Sequence, residues 1–291
     1  MVQCAPGEKR TIRGKVLGEE RALYALTGAA VEDCTFAGEA DGESALKEAS
    51  DIQVKNCTFA LRYPFWHNTH FTVENCTLLE TARAPFWYDR DGRITDTAIR
   101  SVKCLRESRG LTLERVTAQS DEFGWKCRDL TLVDCTVNSA YFMLELKDSV
   151  LHRLKLEGKY ALQYSENVTV TDSELDTKDA LWHSRGVTVR NSTIRGEYLG
   201  WYSEGLTLVN CRITGTQPLC YCKRLRLIGC TMEKADLSFE YSDVEADVRG
   251  ALLSVKNPKS GHITADAIGE IIRRDSIMET DCRIIIRSRL A

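Results

Sequence analysis

The sequence predicts an all-β chain folded as a single-stranded, right-handed parallel β-helix. Three observations lead there. First, the chain repeats itself: Trp182 is answered by Trp201, Val187-Thr188-Val189 by Leu206-Thr207-Leu208, and Asn191-Ser192 by Asn210-Cys211, always 19 residues on. Second, apolar positions recur with strand periodicity around one marker position. Third, residues that favour bends stand beside that marker in nearly every copy.

The markers are Cys34, Cys57, Cys76, Thr97, Val116, Cys135, Leu154, Ser173, Ser192, Cys211 and Cys230, followed by Arg249 and Ile268, which are placed by counting alone. From Thr97 every step is 19; the earlier steps are 23, 19 and 21, so short insertions fall in AGEADGES and LLETARA. The unit reads V-x-N-C-T-apolar, as in VKNCTF and VENCTL. Three residues before the marker stands Val, Ile or Leu, and two after it an apolar residue, from Val31 and Phe36 onward. One residue before it, nine of eleven are Asn, Asp or Gly, which tolerate left-handed backbone. The unit is therefore a strand, a sharp bend and a second short strand. A further bend follows in SRG-V, SEG-L, SEN-V and CRD-L, and the Trp segment supplies a third strand. One such unit cannot bury its inner face alone, whereas stacked copies can. The expectation is one domain over 1–291 with about 13 coils of three short strands each, capped by residues 1–20 and 255–291.

Composition sets limits on partners. The net charge is −3 and the apolar fraction 43%, which points away from nucleic acid and membrane surfaces. No apolar run approaches the ~20 residues of a membrane span. The opening MVQCAPGEKRTIRGK lacks the apolar stretch of a secretory signal. Twelve cysteines without such a signal read as reduced thiols of a cytoplasmic protein. The cysteine column is expected in the core, since free Cys packs as a small hydrophobe. Cys220 and Cys222 with Cys127 do not show zinc spacing, so neither a metal nor a cofactor is expected.

Several long motifs, GEERALYAL, AGEADGESALKEA, RYPFWH, EFGWKC, GEYLGWYSE, GTQPLCYCK and DLSFEYS, resemble a mainly bacterial family known only as a domain of unknown function. The resemblance spans nearly the whole chain. It implies a β-helix of pectin-lyase-like architecture and no activity.

The Trp segment carries the functional expectation. All five tryptophans share one column, which also holds Lys47, Arg106 and Gln163. Those polar residues belong in water, since burying an unpaired charge is costly. The column just before it (Leu46, Phe65, Phe86, Leu105, Gly124, Met143, Leu162, Leu181, Gly200, Leu219) has no charge and suits the interior. Exposed or half-exposed tryptophans are thus favoured over an internal stack, and two consecutive outward residues then require a bulge or bend right after the interior column. The predicted ligand-binding face comprises Trp66, His67, Trp87, Tyr88, Arg106, Trp125, Lys126, Trp182, His183, Trp201 and Tyr202. Aromatic faces there would take the apolar faces of sugar rings, and polar neighbours their hydroxyls. Carbohydrate or glycan-like ligand binding is the leading expectation, with an oligosaccharide or other small molecule as partner. A hydrolase or lyase on the same face is the alternative, with Glu107, Glu145 and His183 as catalytic candidates. Glu107 and Glu145 are expected about 10 Å apart, near the upper limit for an inverting pair. A non-catalytic structural or interaction scaffold is the third reading. Oligomeric state is not legible.

Overall fold

The computed structural model describes residues 10–39 and 41–287; the outermost parts of both expected caps, and Cys4, lie outside them. The chain is all-β and forms a parallel β-solenoid of about 15 turns. This exceeds the 13 marked coils because pairing runs past both ends of the motif. Arg10–Arg13 lies in register against Ala29–Glu32, and Arg283–Ile286 against residues 262–265. Two compact units, residues 1–137 and 138–291, are described separately.

In the first unit the marker-minus-three residues form one vertical row. Val31 pairs with Val54, Val54 with Val73, Val73 with Ile94 and Ile94 with Leu113. All five are buried. The marker-plus-two residues form a second row, with Phe36 over Phe59 at 4.6 Å between ring centroids and 5° between planes. Alternation along each strand puts these residues inward and Thr, Lys and Glu outward. A third parallel sheet is present here as short strands, Phe65–Trp66, Phe86–Trp87, Cys104–Arg106 and Glu122–Trp125.

The second unit repeats two of these rows: Val170, Val189, Leu208 and Leu227 in one, and Leu156, Leu175, Ile194 and Ile213 in the other. From residue 160 on, its Trp segments are turns rather than the expected third strand. Leu162, Leu181 and Leu219 take φ of 56°, 61° and 62°, and Gly200 takes 73°, so the backbone folds over instead of extending. Coil-to-coil hydrogen bonds survive, as in His183 N–H to Trp201 O at 2.9 Å.

The bends follow the sequence rule. Asp33, Asn56, Asn75, Asn191 and Asn210 all have φ between 50° and 55°. Their side chains also bond one another between coils: the Asn75 amide donates to Asn56 Oδ1 at 2.8 Å, and the Asn56 amide to Asp33 Oδ1 at 3.0 Å. Arg115 breaks the Asn/Asp/Gly rule yet adopts φ 53°. Its guanidinium donates to both carboxylate oxygens of Asp96, at 2.6 and 2.8 Å, which offsets the strain and holds the Asp96 carboxyl below its usual range.

Past Cys230 the count of 19 fails. A register shift after Leu227 pairs Cys230 with Val248, and Val248 with Ala265. Val248 and Ala265 are buried and Arg249 is exposed, so they replace Arg249 and Ile268 as markers. The residues expected to form the C-terminal cap begin as solenoid. Asp243–Lys256 and Ser260–Ile272 run parallel along most of their length.

All eleven described cysteines are free and buried. Cys57 donates its thiol to Lys55 O at 3.2 Å and accepts the Cys34 N–H at 3.4 Å, and its own amide reaches Cys76 Sγ at 3.3 Å. Burial pushes the thiols of Cys127 and Cys222 up to about 12, so both are neutral at physiological pH.

Candidate ligand-binding face

A bend that turns two consecutive residues outward exists in both units, at the residue after the Trp column rather than directly after the interior column. Glu48, His67, Tyr88, Glu107 and Lys126 in the first, and Glu145, Tyr164, His183, Tyr202 and Tyr221 in the second, all take left-handed φ between 48° and 62°. The preceding column, from Leu46 to Leu219, is buried throughout. So is the residue after each bend, including Asn68, Asp89, Ser108, Ser184 and Ser203. Two successive residues per coil therefore face outward between two that face in.

The tryptophans are half-buried rather than freely exposed, and Trp182 and Trp201 each make a hydrogen bond the sequence did not disclose. Trp182 Nε1 donates to Tyr198 O at 2.6 Å, and Trp201 Nε1 to Gln217 O at 2.7 Å. Gln163, in the same column, donates Nε2 to Asp179 O at 2.9 Å. Each donor bonds a carbonyl 16 residues on, so an amide substitutes for an indole N–H. At these three consecutive positions the column carries a donor that reaches across to the next coil. Trp182 and Trp201 stack at 5.4 Å with 6° between planes.

In the first unit the same column works through cations. Trp66 stacks on Trp87 at 5.8 Å, and Lys47 Nζ lies 4.1 Å from the Trp66 ring centroid. Arg106 sits 4.8 Å from the Trp125 centroid and 5.9 Å from that of Trp87, and it is paired with Glu122. Lys47 and Arg106 are themselves half-buried, and ring faces and a carboxylate take part of water's place around them. The indole N–H groups of Trp66 and Trp87 are buried without a partner among the described residues.

The outward column carries the exposed rings. In the second unit Tyr164, His183, Tyr202 and Tyr221 form a continuous stack with centroids 5.0, 5.0 and 4.8 Å apart and planes within 12°. His183 has a tyrosine against each face, so it is a rung of this ladder. Beside the rings, Glu166, Arg185, Glu204 and Lys223 succeed one another in adjacent coils. Together these eight residues line a cleft of about 480 Å³. Both carboxylates are already engaged, Glu166 with Lys147 at 3.0 Å and Glu204 with Arg224 at 2.9 Å. Stacking covers the ring faces, so the cleft presents ring edges: phenol hydroxyls and imidazole nitrogens.

In the first unit Glu48, His67, Thr69, Tyr88 and Arg90 line a cleft of about 590 Å³. Glu48 Oε1 lies 3.3 Å from His67 Nδ1, and Tyr88 meets the imidazole edge-on at 5.0 Å. Behind it, Asp89 is fully buried; burial pushes its carboxyl well above the usual range, while Oδ1 accepts the Asn68 N–H at 2.8 Å. Glu107 and Lys126 continue the outward column as exposed residues, and Glu145 is half-buried. Glu107 and Glu145 fall in different units.

The predicted binding face held His183 and Tyr202 but not Tyr164, Tyr221 and Glu48, which share their sequence column, nor the charged row Glu166 to Lys223 and Arg90. The charged row had a signal: the position three after the Trp column is charged in every coil from Arg90 through Lys223. Among the described residues, no group of three or more His, Cys, Asp or Glu is arranged to hold a metal ion, and no helix is long and apolar enough to cross a membrane.

A parallel solenoid that carries an aromatic, charged face in each unit defines the class. The chain belongs to the family described as "Protein of unknown function (DUF3737)", whose model matches residues 10–286. No curated protein matches it. Among solved structures it is similar to the A-module of mannuronan C-5 epimerase AlgE6 of Azotobacter vinelandii, at 12% identity over 94% of this chain and 87% of that one, with TM-score 0.40. It is also similar to the catalytic domain of a GH87 alpha-1,3-glucanase in complex with nigerose, at 6% identity over 98% and 69%, with TM-score 0.39. A third is HetL, a pentapeptide repeat protein of the cyanobacterium Nostoc sp., at 12% identity over 77% and 92%, with TM-score 0.31.

Proposed function

We propose that the protein binds an extended, hydroxyl-rich ligand of the oligosaccharide class along the Tyr164–His183–Tyr202–Tyr221 ladder, without turning it over there. One observation carries this reading. Tyrosine hydroxyls and an imidazole repeat once per coil, about 4.8 Å apart, beside a row alternating acid and base. Such a row offers donors and acceptors in turn, which suits hydroxyls, each of which is both. Recognition runs through ring edges and charges rather than through the sugar-on-ring stacking that the tryptophans suggested. The paired state of Glu166 and Glu204 and the clamped ring of His183 argue against acid–base chemistry at this cleft. Titration calorimetry against a glycan panel tests the reading. Tyr202→Ala, at the middle of the ladder, is expected to weaken any hit at least about tenfold. A hit unaffected by Tyr202→Ala and by Arg185→Gln would remove the ladder from the function.

An enzymatic second reading has one observation in its favour, in the first unit. Glu48 orients His67 through Nδ1, leaving Nε2 free to move a proton in the cleft with Tyr88 and Arg90. Turnover of a glycan by the native protein, abolished in His67→Gln with binding retained, would establish it. Absence of turnover across the panel would dismiss it.

A further inference from the structure

Side-chain charges on adjacent coils of this protein mostly complement one another. Lys55 faces Glu74 at 3.0 Å, Arg115 faces Asp96, and Lys147 faces Glu166. One row in the first unit does the opposite. Arg90 is in register with Arg109, and Arg109 with Arg128, so three guanidinium groups occupy consecutive coils about 4.8 Å apart. All three are exposed, and among the described residues none makes a side-chain hydrogen bond or ion pair. Their backbones are fixed by bonds from Arg90 N to Asn68 O, Arg109 N to Asp89 O and Arg128 N to Ser108 O, at 2.8, 3.0 and 3.1 Å. The row cannot splay apart through the main chain. Like charges placed directly opposite cost stability, so the fold itself does not account for them.

We infer that Arg90, Arg109 and Arg128 form a linear site for an acidic oligosaccharide, with one carboxylate-bearing sugar contacting each guanidinium. Arginine presents a planar fork that matches a carboxylate. The flanks decide between polyanions. Asp91 and Asp129 follow Arg90 and Arg128 in the chain, Asp91 lies 3.9 Å from His70 Nε2, and Glu107 and Lys126 occupy the column two residues before the row. These carboxylates accept hydrogen bonds from sugar hydroxyls but repel the continuous phosphate charge of a nucleic acid. A single file of cations flanked by the carboxylates of Asp91, Glu107 and Asp129 therefore fits a chain carrying one anionic group per unit and hydroxyls between. The site stands on residues of the first unit only, so it holds whether or not the ladder in the second unit binds anything.

The test compares a short galacturonate oligomer with the neutral galactose oligomer of the same length, by calorimetry on the full chain at low and physiological salt. The acidic oligomer should bind, weakening as salt rises, and the neutral one should not. Arg109→Gln should lower the affinity at least about tenfold, as expected for loss of one charge-assisted pair. Arg90→Gln and Arg128→Gln should act in the same direction, while Arg212→Gln, an exposed arginine paired with Glu233 in the second unit, should change nothing. The melting temperature of Arg109→Gln should equal or exceed that of the native protein, because a like-charge contact is relieved. Equal binding of the neutral oligomer, unchanged affinity in Arg109→Gln, or equally tight binding of single-stranded DNA would each overturn the inference.

Discussion

Replacing each tryptophan by phenylalanine separates the two jobs of the Trp column. Phenylalanine keeps an aromatic ring in the stack and deletes the indole N–H. At Trp182 and Trp201 that N–H meets a backbone carbonyl at 2.6 and 2.7 Å in half-buried surroundings. A hydrogen bond of this kind contributes about 0.5–1.5 kcal/mol net, and leaving its acceptor unmet adds about 1–3 kcal/mol when buried, less when solvent can reach it. The expected loss at each is therefore about 1–2 kcal/mol beyond that of lost ring area. At Trp66 and Trp87 the N–H is buried without a partner, so its removal costs nothing in hydrogen bonding. The first pair should thus lose more than the second by about 1–2 kcal/mol, or very roughly 2–8 °C in melting temperature. Urea titration followed by far-ultraviolet circular dichroism reads the difference. Trp182→Gln gives an internal check, because Gln163 already makes this bond one coil away. It should recover part of the loss despite having no ring. Equal destabilisation at all four positions would refute the donor account and leave aromatic packing as the sole role of the column.

Other consequences follow from buried titratable groups. Cys127 and Cys222 keep their protons in the folded state up to about 12, whereas an unperturbed thiol ionises near 9.0. The unfolded chain therefore releases protons first, and stability should fall between about pH 9 and 12, by about 1.4 kcal/mol per pH unit for each thiol. Urea midpoints at rising pH, with Cys127→Ala and Cys222→Ala flattening the slope, check the sign. Thiol titration should find all twelve cysteines free in denatured, unreduced protein and few reactive in the native state. Asp89 is the acidic counterpart: its raised folded value means that stability drops as pH rises above 3.8 until the buried carboxyl itself ionises. Asp89→Asn keeps the oxygen that accepts from Asn68 and removes the titration, so it should stabilise the protein at neutral pH, and a lower midpoint there would contradict this. Acrylamide should quench tryptophan emission only in part, since every indole is half-buried.

The sequence alone determined the repeat, its apolar rows and its bends, because these depend on local rules. Alternation of side chains sets which residues face in, and Asn, Asp and Gly mark left-handed backbone. Val189 over Leu208 and the matching bends at Asn191 and Asn210 followed from counting 19. Counting failed where the register shifts near Cys230, since a bulge leaves no local signature in residues already drifting from the motif. Even the double outward step after Leu46, Phe65 and Leu181 was legible, from charge confined to one column. The tertiary structure decided what those outward residues meet. Whether Arg106 needs water depends on Trp87, Trp125 and Glu122 in neighbouring coils, and whether Trp182 is exposed depends on a carbonyl at Tyr198. The ring faces of Tyr164, His183, Tyr202 and Tyr221 cover one another for the same reason. A column read from sequence gives the identity of each rung, while the orientation of the rungs is set by packing between coils.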